Sequence, residues 1–412
     1  MKRTFLAAFM AAAVATSLVA PVSFAAEAPP TKVSRYQAGY YHFKLGDFEV
    51  AALSDGTLPI PTLKLLTNAQ PGEVKTRLAD TYQTTEVDAS VNAYLIRAGD
   101  RLILMDAGTG ELYGPTLNKL EASLKAVGVT PEQITDILIT HIHTDHTGGL
   151  MDGKRLVFPN ATVHVEQKEV AYWLNPENRA RAPEAAKKYF DEASAKVQPY
   201  VDAGKVKTFS GATELFAGIR SIPAPGHTPG HTFYALESKG EKLVFWGDLV
   251  HVAEVQMPNP GVTIVFDVDP KAAAATRKKA FADAVKGRYW IAADHISFPG
   301  VGHLRRDGSG YRWIPMTYVN DHYEANGTMA QRLLNHSAAL LLAACLASPF
   351  VGAETLPASA ADEATAGLLR ERARGGSRCP CSGTQRARRS PRRSRSSLPR
   401  TLLRASRPKW RR

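Results

Sequence analysis

Residues His141-Ile-His-Thr-Asp-His146 place three imidazoles and a carboxylate in six positions, directly after the apolar run Ile134 to Thr140. Groups crowded this closely are costly to desolvate unless cations sit among them. His141 and His143 flank Ile142, so extended backbone sends both to one side, where they can grip one ion together. As the chain turns toward a helix, Asp145 and His146 leave in another direction, which suits a second ion. A lone histidine at a strand end is more often hydrogen bonded than ligating, but four such side chains in six positions reverse that expectation. Four ligands do not complete two coordination spheres, so partners must come from elsewhere.

Three later segments share one pattern, an apolar strand running into a single ligand-type residue. They are Ser221-Ile-Pro-Ala-Pro-Gly-His227, Lys242-Leu-Val-Phe-Trp-Gly-Asp248 and Tyr289-Trp-Ile-Ala-Ala-Asp-His295. Loops at strand ends are where α/β proteins keep their chemistry. Three other histidines compete. His164, in Thr162-Val-His-Val165, reads as a structural strand residue, and His231 reads as support for the His227 turn. His303 stands eight residues beyond His295.

The order HxHxDH, a His in a Gly-His-Thr-Pro-Gly turn, an Asp after a strand and a late His resembles the metallo-β-lactamase fold superfamily, over residues 36–325. Within it, the Asp294-His-Ile-Ser-Phe-Pro-Gly-Val-Gly-His303 and Gly310-Tyr-Arg-Trp-Ile-Pro315 segments are most similar to the methyl parathion hydrolase family. The resemblance implies an α/β fold, a four-layer αββα sandwich with two mixed sheets and a dinuclear site at the strand ends. It places His141, His143 and His227 on one ion, Asp145, His146 and His295 on the other, and Asp248 between them. It favours His295 over His303 as the late ligand and puts Asp106 beside the metals, where an ordinary turn cap is the alternative. It also implies an apolar leaving-group pocket formed by Trp173, Phe190 and Tyr113, the last standing where that family carries Phe. Aromatics on helices also serve as plain core.

Two divalent cations lower the pKa of a shared water from about 15.7 toward 7, which supplies a metal-bridging hydroxide without a protein base. They also stabilise charge growing on the electrophile's oxygen. Zinc suits imidazole and carboxylate ligands best, and cobalt, manganese and iron accept the same set. The expected reaction is hydrolysis of a small-molecule ester, with organophosphate triesters of the methyl parathion type first. Their nitrophenol leaving group departs without an acid, whereas a lactone expels a basic alkoxide that benefits from a proton donor. The superfamily's lactonases place Tyr three residues after the bridging Asp, and this chain has His251 there. That substitution favours the triester, yet His251 could itself donate a proton or line the substrate pocket. Lactonase or aryl esterase activity is therefore the alternative, ahead of a nuclease or a non-catalytic metal binder.

The 412 residues open with Met1-Lys-Arg, a short apolar run to Ala20 and small residues at Ser23 and Ala25. This reads as a secretory signal over residues 1–25, with cleavage as late as Ala28, and implies a periplasmic or secreted protein. The run is short for a membrane span, so no stable membrane insertion is expected. Cys345, Cys379 and Cys381 all lie beyond the superfamily region, leaving no thiol ligand and no disulfide there. The superfamily's best-known penicillin-hydrolysing members carry Cys where this chain has Asp248. Net charge is +12, but residues 370–412 hold 16 Lys and Arg against one Glu, leaving −3 for the remainder. A mildly acidic, exported catalytic region argues against a nucleic-acid partner. The family resemblance allows a homodimer.

The segments 47–53, 91–97 and 101–105 read as strands, and Leu117 to Val127 reads as a helix ending near Gly128. Residues 166–203 form an insertion of two helical stretches, Glu166 to Leu174 and Pro183 to Val201, separated by Asn175-Pro-Glu-Asn and placed to roof the site. From Met329 the sequence resembles a second signal peptide with a lipobox-like Leu342-Ala-Ala-Cys345, followed by an Arg-, Ser- and Pro-rich run. Residues 329–412 therefore read as a disordered fusion or read-through tail whose removal spares catalysis. A membrane anchor and a polyanion-binding arm are the alternatives.

Overall fold

The computed structural model describes residues 37–320. The expected signal segment, the tail from Met329 with its three cysteines, and the first residue and last five residues of the expected fold region lie outside the described residues.

Two seven-stranded sheets each follow chain order. The first runs Tyr40–Leu45, Phe48–Pro61, Glu86–Ala98, Arg101–Met105, Asp136–Leu138, Thr162–Glu166 and Val206–Phe209. The second runs Glu214–Phe216, Ile219–Pro223, Thr232–Ser238, Glu241–Phe245, Trp290–Ala292, Val301–Asp307 and Gly310–Pro315. Both are mixed. The first turns parallel from Arg101–Met105 onward, and the second holds one parallel pair, Glu241–Phe245 with Trp290–Ala292. Parallel neighbours require long crossovers, supplied here by segments that include the helices Leu120–Ala126 and Pro270–Gly287.

Three apolar clusters define four layers. Tyr94, Met105, Phe245 and Ala292 pack between the sheets. Leu124, Phe190, Val197 and Tyr200 cover the outer face of the first sheet, and Phe281, Ala280 and Ala284 cover that of the second. Buried on both faces, the strand Glu86–Ala98 is a continuous run from Ala89 to Ile96 rather than an alternating one, as central strands require. Among the described residues no helix is long and apolar enough to cross a membrane.

The structure differs from the sequence expectation at two helices. The first begins at Leu120 rather than Leu117. Asp55, from the distant strand Phe48–Pro61, accepts from the backbone N–H groups of Lys119 and Leu120 at 2.9 Å each, so the cap is supplied from outside the local sequence. The insertion contains three helices, Gln167–Trp173, Pro176–Arg181 and Glu184–Asp202. Asn175 caps the middle one by accepting from Glu177 N–H, and Pro176 occupies its first turn. The segment expected to separate two helices is thus a helix start.

Candidate metal centre

Register brings the late ligands together. Phe245 pairs with Ala292 across the parallel strands of the second sheet, so Asp248 and His295, each three residues further on, emerge side by side. In the first sheet Met105 pairs with Leu138, which sets Asp106 and the His141–His146 segment at the same edge. Extended backbone carries His141 and His143, and the short helix Thr144–Thr147 redirects Asp145 and His146, as their spacing suggested. His227 sits in a turn opened by Gly226, whose φ of 136° and tight packing on Ala273 exclude a side chain. Gly247, at φ 51°, lets the chain pass His231 and Thr140 before delivering Asp248.

Among the described residues two groups of ligand atoms share Asp248, beside a third made of Asp106, His146 and Asp294. His141, His143, His227 and Asp248 form one, and Asp145, His146, His295 and Asp248 the other, with atoms in each group within 4.8 Å of one another. In the first, His143 Nδ1 lies 3.0 Å from both His141 Nε2 and His227 Nε2, and Asp248 Oδ2 lies 3.1 Å from His227 Nε2. In the second, Asp248 Oδ1 lies 3.0 Å from His146 Nε2 and 2.9 Å from His295 Nε2, while Asp145 Oδ2 is 3.3 Å from His295 Nε2. Tetrahedral zinc with Zn–N of about 2.0–2.1 Å spaces its ligand atoms about 3.3 Å apart, so both groups match its scale.

The outward nitrogens decide the tautomers. His227 Nδ1 faces Asp267 Oδ1 at 2.8 Å, His146 Nδ1 faces Asp106 Oδ2 at 2.9 Å, and His295 Nδ1 faces the Ser90 carbonyl at 2.8 Å. Carboxylates and carbonyls only accept, so each of these rings carries its outer proton and, when neutral, turns an Nε2 lone pair inward. Those lone pairs then point at carboxylate oxygens. His146 Nε2 and Asp248 Oδ1 are both buried and neither has a hydrogen-bond partner. Such a centre demands positive charge, and its donor set fits a pair of divalent cations.

The proton affinities reflect the same demand. Burial, reinforced by neighbouring rings, holds His141 and His143 well below the ordinary imidazole range. Burial also opposes protonation of His146 and His295, but Asp248 and Asp145 outweigh it and hold both rings well above that range. His227 is likewise raised against burial, to about 9, by its bonds to Asp248 and Asp267. Asp248 is held well below the usual carboxylate range although burial opposes this, chiefly by the rings of His295 and His146.

The surrounding residues fall into place. Asp106, in left-handed backbone at φ 56°, accepts from Thr140 N–H and Oγ–H as well as facing His146, so it buttresses the centre rather than capping a turn. His231 accepts from Asp248 N–H at 3.1 Å and its other nitrogen faces the Ala224 carbonyl. His164 pairs with Asp136 inside the first sheet, and His303 packs on Trp290, away from both groups. His251 stacks on His295 and brings Nε2 to 3.1 Å from Asp248 Oδ2. Burial lowers its pKa, so its single proton is engaged by Asp248.

A cavity of about 760 Å³ opens on the centre, lined by His143, Asp145, Asp248 and His295 and walled by Leu58, Ile60, Tyr113, Trp173 and Phe190. Trp173 and Phe190 belong equally to the outer core, so wall and core are one structure here. Tyr113 ends a 3-10 turn, Gly110–Tyr113. That turn is anchored by Asp55, which accepts from Thr109 N–H and Oγ–H.

Four residues escaped the sequence reading: Asp55, Asp267, Asp294 and Glu169. Asp294 lies beside Asp106 and His146, and burial raises its pKa well above the carboxylate range. It directly precedes His295, a position the sequence did show. The others have no local signature.

The crystal structure of AbOPH, a hydrolase in the beta lactamase superfamily, is 37% identical, with TM-score 0.66, covering 69% of this chain and all of that one. AidC, a dizinc quorum-quenching lactonase, is 29% identical with TM-score 0.64, covering 68% of this chain and 99% of its own. An atrochrysone carboxyl ACP thioesterase of Passalora fulva is 30% identical over 160 residues, 39% of this chain and 38% of that protein. The matched region therefore spans under half the length of such curated relatives. The family pattern described as Metallo-beta-lactamase superfamily matches residues 87–308, and with its αββα layers and paired His/Asp groups the chain belongs to that superfamily.

Proposed function

We propose that this chain is an exported dinuclear-metal hydrolase of small neutral esters, with lactones and carboxylic esters as its substrate class. One observation carries the reading: Asp248 divides its two oxygens between two nitrogen-rich groups at the floor of an apolar cavity. His141, His143 and His227 would hold one ion, Asp145, His146 and His295 the other, and Asp248 both. When bound, the pair polarises the ester oxygen and lowers the pKa of water. The protein's own groups do the rest. Asp106, Asp267 and the Ser90 carbonyl fix the ring tautomers, and His251 and His231 orient Asp248.

Leu58, Ile60, Trp173 and Phe190 desolvate the apolar part of the substrate. Tyr113 supplies a proton donor on the same wall. Burial and the nearby Asp145 raise its pKa, so it stays a neutral phenol able to donate to a departing alkoxide. This provides a donor where His251, already bonded to Asp248, does not. The likeness to a lactonase over nearly that protein's whole length supports the same substrate class.

Cleavage of organophosphate triesters of the methyl parathion type is the second reading. It is favoured by the aromatic wall of Trp173 and Phe190, which suits an aryl leaving group, and by the absence of Tyr at position 251. The export element rests on the basic, apolar and small-residue opening of the chain.

The test is turnover of an acylated γ-lactone, a p-nitrophenyl carboxylate and a dialkyl p-nitrophenyl phosphate on one preparation of known metal content. Lactone and carboxylate turnover that vanishes with chelator and returns with metal is the expected result. A phosphate rate tenfold above both would put the second reading first, and no turnover of any substrate would overturn both.

A further inference from the structure

Glu169 is fully buried on the helix Gln167–Trp173, outside both ligand groups. Its carboxylate accepts three N–H bonds. Oε2 takes Ile142 N–H at 2.8 Å and the Trp173 indole N–H at 3.0 Å, and Oε1 takes Gly230 N–H at 2.6 Å. All three partners are donors, which favours the carboxylate form, although burial outweighs them and pushes its pKa above the ordinary value.

The identity of those donors matters. Ile142 lies between His141 and His143, and Gly230 closes the turn that presents His227. A single side chain therefore ties together the two backbone segments that carry all three histidines of one group. A Cβ on Gly230 would fall 2.9 Å from Glu169 N and 3.0 Å from its Cγ, so the turn is packed directly onto this residue. The other group draws Asp145 and His146 from the helix Thr144–Thr147 and His295 from the second sheet, and none of them bonds to Glu169.

We propose that Glu169 is a positioning residue specific to the His141–His143–His227 ion, clamping its two ligand segments in register. This rests on the dinuclear assignment above. Removing such supporting groups lowers metal affinity about 10–100-fold. A residue needed only for general stability would weaken both ions alike.

The experiment measures the two dissociation constants by competition with a chromophoric chelator, on full-length wild type, E169Q and E169D. Wild type should bind two ions. E169Q should keep one at wild-type affinity and bind the other about 10–100-fold more weakly. In combination, E169Q/H143A should hold its remaining ion as H143A does, whereas E169Q/H295A should bind neither ion tightly. E169D keeps the charge but retracts it by one methylene, and the same selective loss read there decides the matter if E169Q does not fold. Equal weakening of both ions, or no weakening, would overturn the clamp. A wild type that binds fewer than two ions would overturn the dinuclear assignment and the clamp with it.

Discussion

Asp248 Oδ1 lies 3.0 Å from His146 Nε2, yet the two atoms form no hydrogen bond and both are shut away from solvent. The outer nitrogen of His146 is committed to Asp106 at 2.9 Å, so the neutral ring turns a lone pair toward a carboxylate oxygen. A proton, which Asp248 and Asp145 draw onto the ring by raising its pKa, or a cation held between the two atoms makes this arrangement favourable. Asp248→Asn removes that residue's whole negative charge while nearly keeping its shape. It is expected to lower the affinity for both ions and to cut ester hydrolysis by more than about 100-fold. Metal analysis after dialysis, run beside the kinetic assay, checks this.

His295 and His303 separate by the same reasoning. His295 Nε2 reaches both Asp248 and Asp145, whereas His303 faces the Tyr289 carbonyl and the Trp290 ring. His295→Ala should lose one equivalent of metal and His303→Ala none. Atomic absorption on the two variants distinguishes them, and the opposite pattern would move the late ligand.

His231 gives a prediction in pH. Burial lowers its pKa to about 3, so the unfolded chain binds a proton near pH 6.5 that the folded chain refuses. Its contribution to stability is complete above that value and is lost as pH falls from 6.5 toward 3, by about 1.4 kcal/mol per unit. His231→Gln keeps an acceptor for Asp248 N–H and cannot titrate. Chelated wild type should therefore lose about 1.2 kcal/mol more than chelated His231→Gln between pH 6 and pH 5, measured by urea unfolding. Equal losses would contradict the assignment.

Phe190 is both cavity wall and core, being 3% exposed and packed on Trp173 with ring centroids 4.8 Å apart. Phe190→Ala should cost about 3–5 kcal/mol of stability and raise KM for substrates with a large apolar group more than for small ones. A melt together with KM across an acyl-length series measures both effects.

Much of the centre was legible because its ligands obey local rules. His141 and His143 alternate on extended backbone, and Asp145 and His146 follow the turn into a helix. His227, Asp248 and His295 each stand a few residues past an apolar strand. What stayed hidden depends on distance in sequence. Asp267 reaches His227 from 40 residues away, Glu169 reaches Gly230 from 61, and Asp55 reaches Thr109 from 54. No periodicity reports such contacts, since only the folded sheets bring them together. The helix Pro176–Arg181 is a different case. Its Asn175 cap and Pro176 were visible in the sequence, but Asn-Pro reads as a loop as readily as a helix start.

The most direct test of the dinuclear centre is the number of metal ions bound per chain in full-length protein saturated with zinc and freed of excess by gel filtration. The convergence of His141, His143, His227, Asp145, His146 and His295 on the two oxygens of Asp248 predicts two per chain, falling to about one in His295→Ala. One ion or none in the saturated wild type would contradict it.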